Sequence, residues 1–227
     1  MDIFLLGNGY DLHHVFPTRY IDFLNVVNFM IKNESKEFST VGEVFSESLL
    51  QDKNDFIKSA YEKHSRVYND VPLNQNELKY MIELAKNNRW FKYFSETLDN
   101  DMGWIDFEKE IAFVIKCFEN FFKMTKGVYV NNDGLFFDLS CHPEDGQAKF
   151  VIKKFKFFFD FDGMSSSIFA GGQMQKVHKK YQIEYPVGSK CFAFNKKSII
   201  SELHNCLLEL SCILKLYLKM FIDEPTK

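Results

Sequence analysis

The opening of the chain places the strongest constraint on its fold. Met1-Asp2-Ile3-Phe4-Leu5-Leu6 is a short apolar run that stops at Gly7-Asn8-Gly9 and continues as Tyr10-Asp11-Leu12-His13-His14. A short, continuous apolar run with a turn signal at its end suits a buried parallel strand. Glycines allow a tight turn and close approach of the backbone, and a helix N-terminus presents unpaired N–H groups to an anion. A strand that breaks at Gly-x-Gly and turns into a helix is therefore a phosphate-binding arrangement. Strand-to-helix turns also use glycine for structural reasons alone. Gly7, Asn8 and Gly9 thus have two readings: a cradle for a nucleotide phosphate, or a turn that feeds the helix.

The residues behind the turn are polar in a suggestive way. Asp11 follows Gly9 by two positions, where it either binds a ribose hydroxyl or orients a water molecule, or simply caps the short helix. His13 and His14 are adjacent, so a helix points them in different directions; at most one faces a site, and an i, i+4 metal pair is excluded. Pro17-Thr18 reads as a turn and a cap. Thr18 would open a helix from about Arg19 to Ile31, with Tyr20, Phe23, Leu24, Val27 and Ile31 on one face. Arg19 suits either a phosphate contact or a solvated surface.

Further along, apolar spacing predicts helices. Val41 to Tyr68 carries two, separated near Gln51–Asn54, and Asn33 to Lys36 closes the helix before them. From Asn76 a helix is expected to run through Leu78, Met81, Ile82, Ala85, Trp90, Phe91 and Phe94 until Asn100–Gly103 breaks it. Another starts near Trp104 and carries Phe107, Ile111, Val114, Ile115, Phe118 and Phe122, with Asp106, Glu108 and Glu110 at the positive end of its dipole. Gly127 to Gly146 reads as loop. Phe150 to Phe161 is ambiguous, because Phe155, Phe157, Phe159 and Phe161 alternate as in a strand while Ile152, Lys153 and Phe158 do not. Gly163 to Gly172 is a Ser/Gly connector. Ser198 then starts a long closing helix through Ile200, Leu203, Leu207, Leu210, Leu214, Leu218 and Phe221, ended by Pro225.

The expected architecture is α/β and predominantly helical, a single region spanning 1–227. Residues 1–35 form the strand-loop-helix, 40–125 a helical insertion, 126–195 an irregular or mixed part, and 196–222 the closing helix. Phe accounts for 26 of the 227 residues, so the core must be built largely from phenylalanine. A net charge of −3 with 26% charged residues argues against general nucleic-acid binding. Cys117, Cys141, Cys191, Cys206 and Cys212 are odd in number and form no C-x-x-C pair, which supports neither a zinc site nor a disulfide framework. Free thiols fit a reducing cytosol, and no apolar stretch reaches the length of a membrane span. A cytoplasmic protein with no membrane association and no metal is expected.

Glu108, in the Trp104-Ile105-Asp106-Phe107-Glu108 segment, is a second chemical candidate. An acid among aromatic residues is suited to proton transfer, although acids in this position are more often solvated helix-start charges. His64, His142, His178 and His204 are isolated and read as structural or exposed. Lys176–Lys180 reads as a solvated basic face, with a local nucleic-acid or acidic-lipid contact as the alternative.

Taken together, Gly7-Asn8-Gly9-Tyr10-Asp11-Leu12-x-His14-x-x-Pro17-Thr18-x-Tyr20-x-x-Phe23 resembles the opening of the AbiH-type bacteriophage abortive-infection proteins. Trp104-Ile105-Asp106-Phe107-Glu108 is similar to the second recognisable segment of that family. The opening also resembles the sirtuin-type pattern Gly-Ala-Gly-x-Ser-x-x-x-Gly-Ile-Pro: Gly7, Gly9, Phe16 and Pro17 hold equivalent places, while Asn8, Asp11 and Val15 depart from it. The resemblance implies a Rossmann/sirtuin-like sheet and a site for NAD or a related nucleotide, held by Gly7, Asn8, Gly9, Asp11, Pro17 and Thr18. Asp11, His14 and Glu108 are the implied catalytic candidates, and a phage component is the implied trigger.

Members of this family usually continue into a Phe-Asn-Tyr-Thr strand and a His-Gly segment. This sequence ends at Pro225-Thr226-Lys227, and Phe192-Ala193-Phe194-Asn195 is only faintly similar. The expectation is an N-terminal portion with an incomplete sheet, which binds nucleotide weakly and turns over little. NAD-glycohydrolase-like hydrolysis belongs to the complete protein on this view. Two other readings stand beside it: a non-enzymatic helical module that senses a phage component, and a decayed remnant.

Overall fold

Seven α-helices account for most of the described residues, and the chain is predominantly helical. The computed structural model describes residues 16–51, 55–97, 107–123, 128–131, 134–138, 151, 154–155, 159–160, 174–184, 192–223 and 225. The strand expected over Ile3–Leu6 and the turn at Gly7–Gly9 lie outside them, as do Asp106, the Gly163–Gly172 connector and His142. The chain divides into two compact units, Met1–Ile105 with Asn205–Lys227, and Asp106–His204.

In the first unit, helix α1 (Tyr20–Lys32) is the centre. Phe23, Leu24, Val26, Val27, Phe29 and Met30 are all buried, and a helix apolar on nearly every side belongs inside a core. Helices α2 (Val41–Gln51), α4 (Gln75–Asn87) and α5 (Arg89–Thr97) pack against it. Asn33 closes α1 as expected, its backbone N–H donating to the carbonyls of Met30 and Phe29. The start differs from expectation by one residue. Arg19, not Thr18, occupies the N-cap position in extended conformation without a side-chain cap, and the Thr18 N–H donates to the Phe16 carbonyl at 2.8 Å.

Helix α3 (Asp55–Asp70) follows α2 after the expected break and packs closely on it. Gly42 makes that approach feasible: a Cβ there would come within 3.0 Å of the Asn69 Cα and nearer still to the Asn69 side chain. Ile57, Ala60 and Tyr68 form the buried face of α3. The helix expected to run unbroken from Asn76 to Phe94 is instead two, because Asn88 interrupts it. The Asn88 side-chain oxygen accepts from the Phe91 N–H at 2.9 Å, starting α5, and its Nδ2 donates to the Cys206 carbonyl at 2.6 Å. Asn74, one residue before α4, caps it by accepting from the Asn76 and Glu77 N–H groups.

The core is aromatic, as the phenylalanine content requires. The largest fully buried side chains of this unit are Trp90, Tyr68, Tyr93, Tyr217, Phe23, Phe45, Phe91 and Phe94, each contributing about 1.5–3 kcal/mol by leaving water.

In the second unit, helix α6 (Phe107–Lys123) buries Phe107, Val114, Cys117, Phe118 and Phe121. Ile115, expected on the inner face, is exposed, since the buried stripe turns toward Cys117 and Phe121 instead. The span read as loop, Gly127 to Gly146, contains two strands, β1 (Val128–Asn131) and β2 (Gly134–Asp138), paired antiparallel with Asn131 opposite Gly134. The physical reason was present in the sequence. Asn131-Asn132-Asp133-Gly134 is a run of turn-favouring residues, and β-branched and aromatic residues flank it. Strands β3 (Phe159–Asp160) and β4 (Met174–Val177) complete a sheet in the order β1-β2-β4-β3. The ambiguous Phe150–Phe161 stretch resolves into helical conformation at Val151 and Lys154 and strand at Phe159–Asp160.

After a 3-10 turn at Lys179–Tyr181, strands β5 (Gln182–Glu184) and β6 (Phe192–Phe194) form a second, two-stranded sheet. Every strand pairing among the described residues is antiparallel. Phe118 meets Phe155 edge-on at 5.6 Å and Phe121 meets Phe194 at 5.1 Å.

Helix α7 (Lys196–Leu218) starts two residues earlier than expected, with Asn195 accepting from the Ser198 N–H, and the division between the units falls within it. Its inner face is Ile199, Leu203, Cys206, Leu210, Ile213 and Tyr217. Ile200, expected inside, is 44% exposed, and Leu208 is 59% exposed. A π-helical turn at Lys219–Asp223 then buries Met220, Phe221 and Ile222 before Pro225. No helix among the described residues is long and apolar enough to cross a membrane.

Candidate functional site

A buried polar cluster of the first unit lies where residues 16–19 lead into α1. Pro17 is buried, so its carbonyl needs a partner. It receives one from the Tyr217 hydroxyl, which donates at 2.6 Å. Tyr217 is held on the inner face of α7 by its ring, stacked on Phe221 at 5.2 Å and edge-on to Phe23 at 5.4 Å. Two residues on, Arg19 donates from Nε and Nη2 to the two oxygens of Asp22 at 2.8 and 2.7 Å. Asp22 is wholly buried, while the Arg19 side chain keeps 22% of its surface exposed. The bidentate geometry is what compensates a carboxylate placed inside a core.

A ring of α3 meets the same segment, and a second ring of α3 meets that one. His64 stacks on Phe16 at 4.9 Å, and Tyr68, one turn later, meets the His64 ring at 5.9 Å and the Phe45 ring at 4.9 Å. The Tyr68 hydroxyl is buried and has no hydrogen-bond partner. Burial pushes its ionisation well above the ordinary phenol range. The Tyr217 phenol is also raised, first by burial and then by the charges of Asp22 and Tyr68, with Arg19 acting in the opposite direction. Both phenols therefore stay protonated at neutral pH, and the Tyr217 hydroxyl serves as a hydrogen-bond donor rather than a base.

Of the residues proposed from sequence, Pro17 is buried and Thr18 half-buried in this cluster. Gly7, Asn8, Gly9, Asp11 and His14 lie outside the described residues. Glu108 is exposed in the first turn of α6, in the second unit. Sequence reasoning missed Asp22, Tyr68 and Tyr217. A signal existed for Asp22, a lone acid inside Ile21-Asp22-Phe23-Leu24 with Arg19 three residues before it. Nothing in the spacing singles out the two tyrosines from other core aromatics.

In the second unit, His178 and Lys180 make short-range polar contacts. His178 accepts from the Lys180 N–H through Nδ1, starting the 3-10 turn, and Lys180 pairs with Glu202 at 2.6 Å. The hydrogen bond to Glu202 raises the Lys180 pKa; on an exposed pair this is worth little. Among the described residues no cluster of His, Cys, Asp and Glu is arranged to hold a metal ion. Comparison of the chain with protein-family models, with curated proteins and with solved structures found no match.

Proposed function

We propose that this chain is a phage-defence protein of the abortive-infection type that binds NAD or a related nucleotide through Gly7-Asn8-Gly9, with Asp11, Pro17 and Thr18 completing the binding segment. On this reading Ile3–Leu6 is a strand of a Rossmann/sirtuin-like sheet, the protein works in the cytoplasm, and a phage component triggers it. Asp11 and His14 orient the attacking water if the nucleotide is hydrolysed.

The observation that carries the reading is the hydrogen bond from Tyr217 to the Pro17 carbonyl. A binding loop needs ends that are fixed by a rigid frame, because its backbone N–H groups must meet the ligand with little tolerance. Phe16, Pro17 and Arg19 are held by His64, Tyr217 and Asp22. Residues 16–19, which follow the glycine motif in the sequence, are thus tied to α3, α7 and α1.

Isothermal titration of the purified chain with NAD tests the proposal. Saturable binding is expected, with loss in Gly9→Val and weakening in Asp11→Ala, and phage protection should fall in the same variants. Binding that is absent, or equal in Gly9→Val, removes the nucleotide reading. The predominance of helices favours a second reading, a non-enzymatic sensor of a phage component. Protection that survives substitution of Gly7 and Gly9 but is lost when the helical surface is altered would select it.

A further inference from the structure

We infer that the turn at Lys179–Tyr181, the outer side of the β5–β6 ribbon and the first turn of α7 form a docking surface of the second unit for an anionic phospholipid bilayer. The contact is peripheral, and it replaces the sequence-based expectation of no membrane association. It does not depend on the nucleotide reading.

Two lysine pairs separated in the chain are brought together here. The Asn195 N–H donates to the Tyr181 carbonyl at 2.7 Å, and Lys180 pairs with Glu202 at 2.6 Å. These contacts set Lys179-Lys180 beside Lys196-Lys197, and all four lysines are exposed. Lys180 is engaged by Glu202, and Lys196 lies over the Phe122 ring at 5.7 Å. Lys179 and Lys197 have no acidic partner among the described residues.

Aliphatic side chains border the lysines. Ile183 and Ala193 stand directly opposite each other in the β5–β6 register, so they point to the same side of the ribbon. Ile183 is 48% exposed and Ala193 is exposed too, while Phe194, on the other side, packs against Phe121. Ile200 follows Lys196 by four positions and Lys197 by three, which places it, also exposed, on their face of α7.

The chemistry of the cations and their neighbours selects the occupant. Arg19, Arg66 and Arg89 all precede residue 106, so every permanent cation of the second unit is a lysine. Nucleic-acid contacts favour the planar fork of arginine and exposed aromatic platforms, whereas Tyr181, the aromatic residue of the turn, is buried. Lysines beside exposed isoleucines suit a bilayer: the ammonium groups meet anionic headgroups and the aliphatic side chains enter the headgroup–acyl boundary.

The test is co-sedimentation of the 227-residue chain with extruded vesicles, of phosphatidylcholine alone or of phosphatidylcholine and phosphatidylserine in equal parts. Binding is expected only to the vesicles that contain phosphatidylserine, and it should weaken as salt rises. A Lys179→Gln, Lys197→Gln double variant should bind about thirtyfold more weakly, at about fivefold per surface lysine. Ile183→Asn should bind about tenfold more weakly. A Lys79→Gln, Lys92→Gln double variant, which removes two exposed lysines of the first unit, should bind as wild type does. Equal binding to both kinds of vesicle overturns the inference, as does binding to neither. An equal loss in the two lysine double variants overturns it as well, since net charge alone is then at work. Full binding by Ile183→Asn overturns the part given to the ribbon. Binding of a labelled single-stranded oligonucleotide through Lys179 and Lys197, with none to vesicles, assigns the surface to nucleic acid instead.

Discussion

The Tyr217 hydroxyl and the Pro17 carbonyl meet at 2.6 Å although 200 positions separate them in the chain. The bond ties the last helix of the first unit to the residues that enter its first helix. Tyr217→Phe keeps the stacking on Phe221 and Phe23 but leaves a buried carbonyl unpaired. We expect a loss of about 1–3 kcal/mol, read from the urea midpoint at unchanged slope. A variant as stable as wild type would mean that the carbonyl finds water instead.

The two buried phenols make stability sensitive to alkali. Tyr68 and Tyr217 both ionise at higher pH in the folded chain than in the unfolded one. Each holds its proton more tightly when folded, so its contribution is complete below the ordinary phenol value of about 10 and is lost as pH rises from there toward the folded pKa. The fall should approach about 1.4 kcal/mol per pH unit for each tyrosine. Chemical unfolding at a series of pH values from neutral to strongly alkaline should show this decline, and a Tyr68→Phe, Tyr217→Phe double variant should lack most of it.

Removing the guanidinium from the buried pair should be more harmful than neutralising the acid. Arg19→Met strands the Asp22 carboxylate inside the core, at a cost on the order of 3 kcal/mol. Asp22→Asn keeps the shape and one acceptor for Arg19, and should cost less. The ranking can be read from thermal unfolding of the two variants, and the reverse order would show that solvent already screens the pair.

Asn88 should be a sensitive position between α4 and α5. Its side chain accepts from the Phe91 N–H and donates to the Cys206 carbonyl and to Glu209. Asn88→Ala removes a cap and leaves the Cys206 carbonyl without this donor, for about 2–3 kcal/mol. Asn88→Asp keeps the acceptor for Phe91 but sets carboxylate oxygen against the Cys206 carbonyl. It should therefore be no more stable than Asn88→Ala at neutral pH. Hydrogen exchange at the Phe91 amide separates the effects: faster in Asn88→Ala, still protected in Asn88→Asp.

Legibility varied with the range of the interaction that decides each feature. The close of α1 at Asn33 and the break between α2 and α3 could be read directly, because polar punctuation and apolar spacing act within a turn or two. The β1–β2 hairpin carries its signal in Asn131-Asn132-Asp133-Gly134 between apolar residues, although the glycine and polar content of the wider span reads as loop. The inner face of α7 was not readable. Ile199 and Ile200 are adjacent and equally apolar, so only the surface they meet decides that the first is buried and the second exposed. The interruption at Asn88 is similar, since a lone Asn in a helical pattern carries no sign of a carbonyl 118 residues away. At the candidate site, Pro17 and Thr18 were named from sequence, whereas Tyr68 and Tyr217 emerged only from packing.

By itself, then, the sequence determined a mostly helical chain with a phenylalanine-rich core and the places where α1, α2 and α3 lie, and its Gly7-Asn8-Gly9 motif makes a nucleotide worth testing. Tertiary structure alone decided which aromatic residues became polar anchors, that Asp22 could be buried, and that the Tyr68 hydroxyl would be left without a partner. Helical periodicity and turn chemistry are satisfied locally, so they can be read along the chain. Hydrogen-bond partners and buried faces are fixed by segments as distant as Pro17 and Tyr217, and these meet only after the helices have packed.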